Sequence, residues 1–112
     1  MVIKVYNLIG TVDAAATNKE IAKLGTPSKT TRVLQEIRYY CSLPADVEVM
    51  LALGTETIYD FEAQVNDYIK LPYPANLMMK EGDELRLVCT NRNTTTAATV
   101  KVEIVCEETV TK

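Results

Sequence analysis

The sequence predicts an all-β protein: an antiparallel β-sandwich of about seven strands, folded as a single domain over residues 1–112. Three observations predict it. Two segments near the C-terminus, Glu84 to Thr90 and Ala98 to Cys106, alternate polar and apolar residues on either side of a polar loop from Asn91 to Ala97. Turn residues recur along the chain at intervals of ~8–12 residues, the spacing of a sandwich. A chain of 112 residues that is 47% apolar is also long enough for a real core.

The elements follow in order. Val2 to Val12 reads as a first strand, rich in strand formers at Val2, Ile3, Val5, Tyr6, Leu8 and Ile9, with Gly10 marking a bulge or bend. Asp13 to Lys23 admits two readings. Thr17-Asn18-Lys19-Glu20 has the form of a capping box, and Glu20 to Leu24 fits a short helix or an edge strand equally well. Gly25-Thr26-Pro27-Ser28-Lys29 is a turn.

Thr30 to Ser42 is a long strand. Val33, Gln35, Ile37, Tyr39 and Cys41 share one face; Leu34, Glu36, Arg38 and Tyr40 share the other, which is assigned to water. After a turn at Leu43 to Asp46, the strand Val47 to Leu53 places Val47, Val49, Leu51 and Leu53 inward and Glu48, Met50 and Ala52 outward. Gly54-Thr55 turns or bulges the chain into a strand at Thr57 to Phe61. Leu71-Pro72-Tyr73-Pro74 excludes a central strand, so Tyr68 to Asn76 is an extended crossover. Leu77 to Lys80 is a short strand or the lead-in to one. The last two strands are expected to close as a hairpin, with Leu85, Leu87, Cys89, Val100, Val102, Ile104 and Cys106 inward and the tail from Glu107 to Lys112 frayed or edge-paired.

Composition excludes several function classes. The chain has no histidine, so the commonest metal ligand and general base are both missing. A net charge of −3 argues against nucleic-acid binding, and the scattered Lys and Arg give no polybasic membrane signal. No apolar run approaches the ~18 residues of a membrane span. The N-terminus lacks the pattern of a signal peptide, so synthesis in a cytoplasm is expected, with release inside an assembled particle as a route out. Four glycines leave no phosphate cradle, and no cofactor is expected. The acidic residues Asp46, Glu48, Glu56, Asp60, Asp83 and Glu84 match no calcium loop and read as solvated turns and strand edges.

Cys41, Cys89 and Cys106 are too few and too widely spaced for a disulfide framework or a zinc motif. They read as small buried hydrophobes, or as one internal disulfide from Cys41 to Cys89 or Cys106. Without a histidine none is an activated nucleophile. An enzyme is therefore not expected.

Two candidate surfaces remain. Leu34, Tyr40, Met50 and Val105 are apolar residues on outward faces, which makes them candidates for an interface. Tyr68 and Tyr73 in the crossover, with Asn91 and Asn93 in the last loop, are candidates for a ligand or partner loop, a glycan being the natural ligand for exposed aromatic rings. Asn93-Thr94-Thr95 also fits the N-glycosylation pattern, but without a secretory signal it reads first as turn chemistry, since Asn91 and Asn93 suit positive backbone angles in a turn.

Thr31 to Ile37, Val47 to Thr55, the Pro-broken crossover, Lys80-Glu81-Gly82-Asp83-Glu84-Leu85-Arg86-Leu87 and Thr90-Asn91 together form a recognisable pattern. It resembles the jelly-roll or immunoglobulin-like sandwiches of capsid, turret, decoration and tail proteins of archaeal and bacterial viruses. The resemblance covers about residues 30 to 107 and carries over no functional residue. It implies a non-enzymatic structural protein of a virion, partnered by itself or by other virion proteins, with no nucleic acid and no membrane. It departs from a full jelly roll in length, since eight strands would crowd 112 residues. The alternative from another class is a small carbohydrate- or ligand-binding β-sandwich module.

Overall fold

The computed structural model describes residues 2–62, 69–72 and 77–111. Tyr68 and Tyr73 lie outside the described residues. The described strands are β1 (Val2–Val12), β2 (Lys19–Gly25), β3 (Thr30–Cys41), β4 (Val47–Leu53), β5 (Glu56–Glu62), β6 (Ile69–Pro72), β7 (Met78–Met79), β8 (Glu84–Asn91) and β9 (Ala98–Val110). They form two antiparallel sheets. One has the order β1-β9-β3-β6, with the short β7 also paired to β3; the other has the order β2-β8-β4-β5.

β6 pairs with Glu36 to Tyr39 and β7 with Arg32 and Val33, so the two occupy one strand position beside successive parts of β3. Each sheet is therefore four positions wide. β1 pairs with β9, β2 with β8, β3 with β6 and β7, and β4 with β5. That is one long antiparallel ribbon, the first half of the chain against the second. The ribbon is rolled until β9 meets β3 and β8 meets β4. This is jelly-roll order. Eight positions fit in 112 residues because the connections are tight: β4 and β5 are joined by Gly54-Thr55 alone, with Gly54 at φ +63.

The C-terminal pair is the main correction to the expected fold. β8 and β9 are not a hairpin: β8 lies between β2 and β4, and β9 between β1 and β3 in the opposite sheet. The loop after Asn91 crosses from one layer to the other. The tail is not frayed to Glu107 either, since β9 runs on to Val110 and Glu108 is paired on both sides. Glu20 to Leu24 is strand, not helix.

The core lies between the layers. Leu8, Val12, Leu34, Ile37, Tyr39, Val100, Val102 and Ile104 of one sheet meet Val47, Val49, Leu51, Leu85 and Leu87 of the other, all of them buried. β3 reaches this core in two phases. A register shift between Leu34 and Glu36 leaves Gln35 as an extra, exposed residue, so Arg32 and Leu34 point inward before it and Ile37, Tyr39 and Cys41 after it. Leu34, expected on the wet face, is thus fully buried. Val33, expected inward, is only half-buried. Ala52, expected outward, is buried as well.

Candidate functional site

The outer face of the β1 sheet can be read row by row from its registers. Ile3 lies beside Glu107 and Val33, Val5 beside Val105 and Glu36, Asn7 beside Glu103 and Arg38, and Ile9 beside Lys101 and Tyr40. Residues opposed across an antiparallel pair point to the same side. Ile3, Val5 and Ile9 are 56%, 54% and 57% exposed, and all lie on this outer face of an edge strand. Val105 and Tyr40, two of the expected interface residues, belong to the same face and are half-buried. Met50 is half-buried on the other sheet, beside Val88. Leu34 is in the core and leaves the interface set.

Sequence reasoning passed over Ile3, Val5 and Ile9. Their signal was present: β1 carries large apolar residues at both parities, so its two faces cannot both be ordinary core and solvent faces.

The four edges of the sandwich are not alike. β2 has a register shift between Glu20 and Ala22 and presents exposed Lys19, Glu20 and Lys23. β5 opposes a shift between Leu51 and Ala52 and bears Glu56, Asp60 and Glu62 in its sequence. The fourth edge is divided between a four-residue and a two-residue strand, the first ending at Pro72. Bulges, charges, proline and short length are the usual devices that stop an edge from pairing with another chain. β1 has none of these except Lys4. It is 11 residues long, and its ladder with β9 runs unbroken from Val2↔Glu108 to Val12↔Ala98. Among the described residues its other side has no strand partner.

β1 is held firmly against the fold. The Tyr6 hydroxyl donates to Glu108, and the Arg32 guanidinium lies 4.3 Å from the Tyr6 ring centre. Arg32 Nε donates to Glu108 Oε1 at 2.9 Å and Nη1 to the Gly25 carbonyl at 2.7 Å, which ties the cluster to the end of β2. The Arg32 side chain is only 5% exposed. Donation from Tyr6, and then from Arg32, holds the Glu108 carboxyl below its usual range. Burial, and then the bond to Glu108, raises the Tyr6 phenol. Nearer the far end of β1, Gly10 lets the two edges close: a Cβ there would lie 2.7 Å from the Ile21 carbonyl oxygen.

The loop candidates have structural partners. Asn91 is buried and donates from Nδ2 to the Thr96 carbonyl at 2.9 Å and to the Val12 carbonyl at 3.3 Å, while its Oδ1 accepts from the Asn93 amide. It is an internal brace and not a contact residue. Asn93 Nδ2 donates to Asp46 at 3.1 Å, and its Oδ1 accepts from the amides of Thr95 and Thr96. Neither residue has a positive φ; among the described residues other than glycine those angles fall at Ala15, Asn18, Lys29 and Ala45. Both asparagines shape the loop through their side chains.

All three cysteines are free and buried. Burial, with Cys41 nearby, pushes the Cys89 thiol up to about 12. Burial raises Cys41 and Cys106 as well. Such thiols pack as hydrophobes and are poor nucleophiles. Among the described residues no pocket opens, no cluster of acidic or cysteine side chains is placed to hold a metal ion, and no helix is long and apolar enough to cross a membrane.

The described residues thus define an antiparallel jelly-roll sandwich in which β1 is an open strand edge. The crystal structure of FLHE is similar, with a TM-score of 0.54 at 12% identity, covering 92% of this chain and 96% of that one. The IMPa metallopeptidase in complex with T-antigen matches with a TM-score of 0.47 at 16% identity, over 93% of this chain but 13% of that one. The virus-like particle of Macrobrachium rosenbergii extra small virus matches with a TM-score of 0.41 at 15% identity, over 95% of this chain and 79% of that one. No family model and no curated protein matches the sequence. At 12% identity the likeness to FLHE is one of fold.

Proposed function

We propose that this protein is a non-enzymatic structural subunit that assembles through its β1 edge and the adjoining outer face, as a capsid, turret or decoration component of a virus particle. The observation that carries the reading is the contrast between edges among the described residues: β1 is long, unbroken and guarded by Lys4 alone, whereas the remaining edges are bulged, charged or broken. An open edge offers backbone donors and acceptors in a row, and a protein strand satisfies them best. The resemblance in the sequence to small viral sandwiches supplies the virion setting. The carbohydrate-binding alternative has less support, because Asn91 and Asn93 are committed to bracing their own loop.

The test is the solution mass of the chain, by size exclusion with light scattering over a range of concentrations, with and without reductant. A discrete oligomer or larger assembly is expected, and reductant is expected to leave it unchanged because all three thiols are buried. A monomer at every concentration would overturn self-assembly.

A further inference from the structure

We propose that the partner of the β1 edge is β1 of a second copy, paired antiparallel about a two-fold axis perpendicular to the sheet. This rests on the assembly reading above and specifies the contact.

Among the described residues three edges are bulged, charged or broken, and β1 has Lys4 as its single guard, so the edge contact that best suits a pair of copies is β1 with β1. A contact of one patch with itself is isologous and closes as a two-fold dimer. The orientation then follows from geometry. An axis along the strand would give parallel strands with opposite faces together. An in-plane axis across the strand would leave the two edges facing the same way. The perpendicular axis alone brings the edges together, and it makes the strands antiparallel with the outer faces on the same side.

The side chains agree with that operator. Outward residues of one copy face outward residues of the other, so Ile3, Val5 and Ile9 of both copies come together beside Val105, with Asn7 between Val5 and Ile9 on the same face. Each of Ile3, Val5 and Ile9 is more than half exposed in the single chain. Lys4, the charged residue of β1, has the other parity and lies off that face; its charge already favours the Glu108 carboxylate of its own chain. Like charges therefore meet directly only if the axis falls beside Lys4, and that register is disfavoured. The two inner ladders become a sheet eight positions wide.

The other features of the molecule point to no ligand. The Tyr6–Arg32–Glu108 cluster is satisfied within the chain, and the cysteines are buried in the core.

Cysteine cross-linking tests the operator itself. Single cysteines are placed at Ile3, Val5, Asn7 and Ile9, with Lys23→Cys on β2 as a control, and the variants are oxidised alone and in pairwise mixtures. A two-fold antiparallel contact predicts productive pairs whose residue numbers share one even sum. Ile3 with Ile9 and Val5 with Asn7 belong to one such register; Ile3 with Asn7 and Val5 with itself belong to another. The productive pairs are expected to cross-link at least tenfold more than the β2 control. Val5→Lys is expected to weaken the dimer at least tenfold while the far-ultraviolet β signal stays that of the parent. Pairs related by a constant difference would mean parallel strands and overturn the proposal. An oligomer with no β1 cross-link would also overturn it while leaving assembly intact. A monomer in the light-scattering experiment would remove both.

Discussion

β1 and β2 run along the same side of the sandwich, one in each sheet, and meet where Gly10 lies against Ile21. They solve the edge problem in opposite ways. β2 is seven residues long, bulged beside Ile21, and carries exposed Lys19, Glu20 and Lys23. β1 is 11 residues long, unbroken, and shows Ile3, Val5 and Ile9 to solvent. An edge that had only to stay soluble would need the first solution in both places. The difference shows that exposure of backbone is suppressed on one strand and left available on its neighbour within a single side of the fold.

The largest expected effect comes from the cluster that fixes both edges at one end. Glu108→Gln leaves Arg32 without its counter-ion while it is nearly excluded from water, and losing a charge-assisted hydrogen bond of a part-buried pair costs about 1.5–3 kcal/mol. Urea denaturation at fixed protein concentration measures it. The pH dependence has a definite sign. The folded Glu108 carboxyl is held below its ordinary value of 4.5, so its contribution is present above that value and is lost as pH falls through the folded pKa. The Tyr6 phenol is raised above 10.0, so its contribution is full below that pH and is lost as pH climbs through the folded value. The stability of Glu108→Gln is expected to lose the acid part of this dependence.

The next effect separates the two edges at their crossing. Gly10→Val puts a Cβ 2.7 Å from a backbone oxygen and 3.0 Å from the Ile21 Cβ, and backbone cannot swing aside as a side chain can. Overpacking of this kind costs about 1–3 kcal/mol. Thermal melting is expected to show the loss. Ile21→Ala in the same background should not restore stability, because the closest atom is the carbonyl and not the side chain.

How much of this was legible in the sequence depends on how local each feature is. β1 and β4 were delimited correctly because strand formers and turns bound them directly. The burial of Leu34 was not legible: the alternation of apolar residues continues through Val33 and Gln35, and the bulge that reverses it is a property of the pairing with β9. The last two strands were correct as strands and wrong as a hairpin. A polar loop of that length can return beside its own strand or cross to the facing sheet, and only long-range pairing decides. Asn93 was found for its turn chemistry, yet its partner Asp46 lies on a distant turn and could not be seen. The open edge was hidden for the same reason, since a strand is an edge only once its neighbours are known.

Exchanging the character of the two edges is expected to change assembly far more than stability. Glu20→Val with Lys23→Val removes two guards from β2, and new association or turbidity is expected at concentrations where the parent stays clear. Surface changes of this kind usually alter folding by no more than about 0.5 kcal/mol. If instead the doubly substituted chain stays as clear as the parent, the bulge beside Ile21 is guard enough and the charges are secondary.

The smallest effect bears on what those charges are for. Lys23 Nζ is 3.6 Å from Glu84 Oε2, with both side chains about half in water at 58% and 48% exposure. Exposed pairs of this sort contribute only about 0–1 kcal/mol, because solvent screens them and ordering two long side chains is unfavourable. Lys23→Ala is therefore expected to shift the urea midpoint barely, with an unchanged slope. A near-zero shift, combined with association in the doubly substituted chain, would mean that Lys23 acts by keeping another strand away. A shift well above 1 kcal/mol would mean that β2 needs its charges to stay in its own sheet, and the contrast with β1 would then be one of stability as well as of availability.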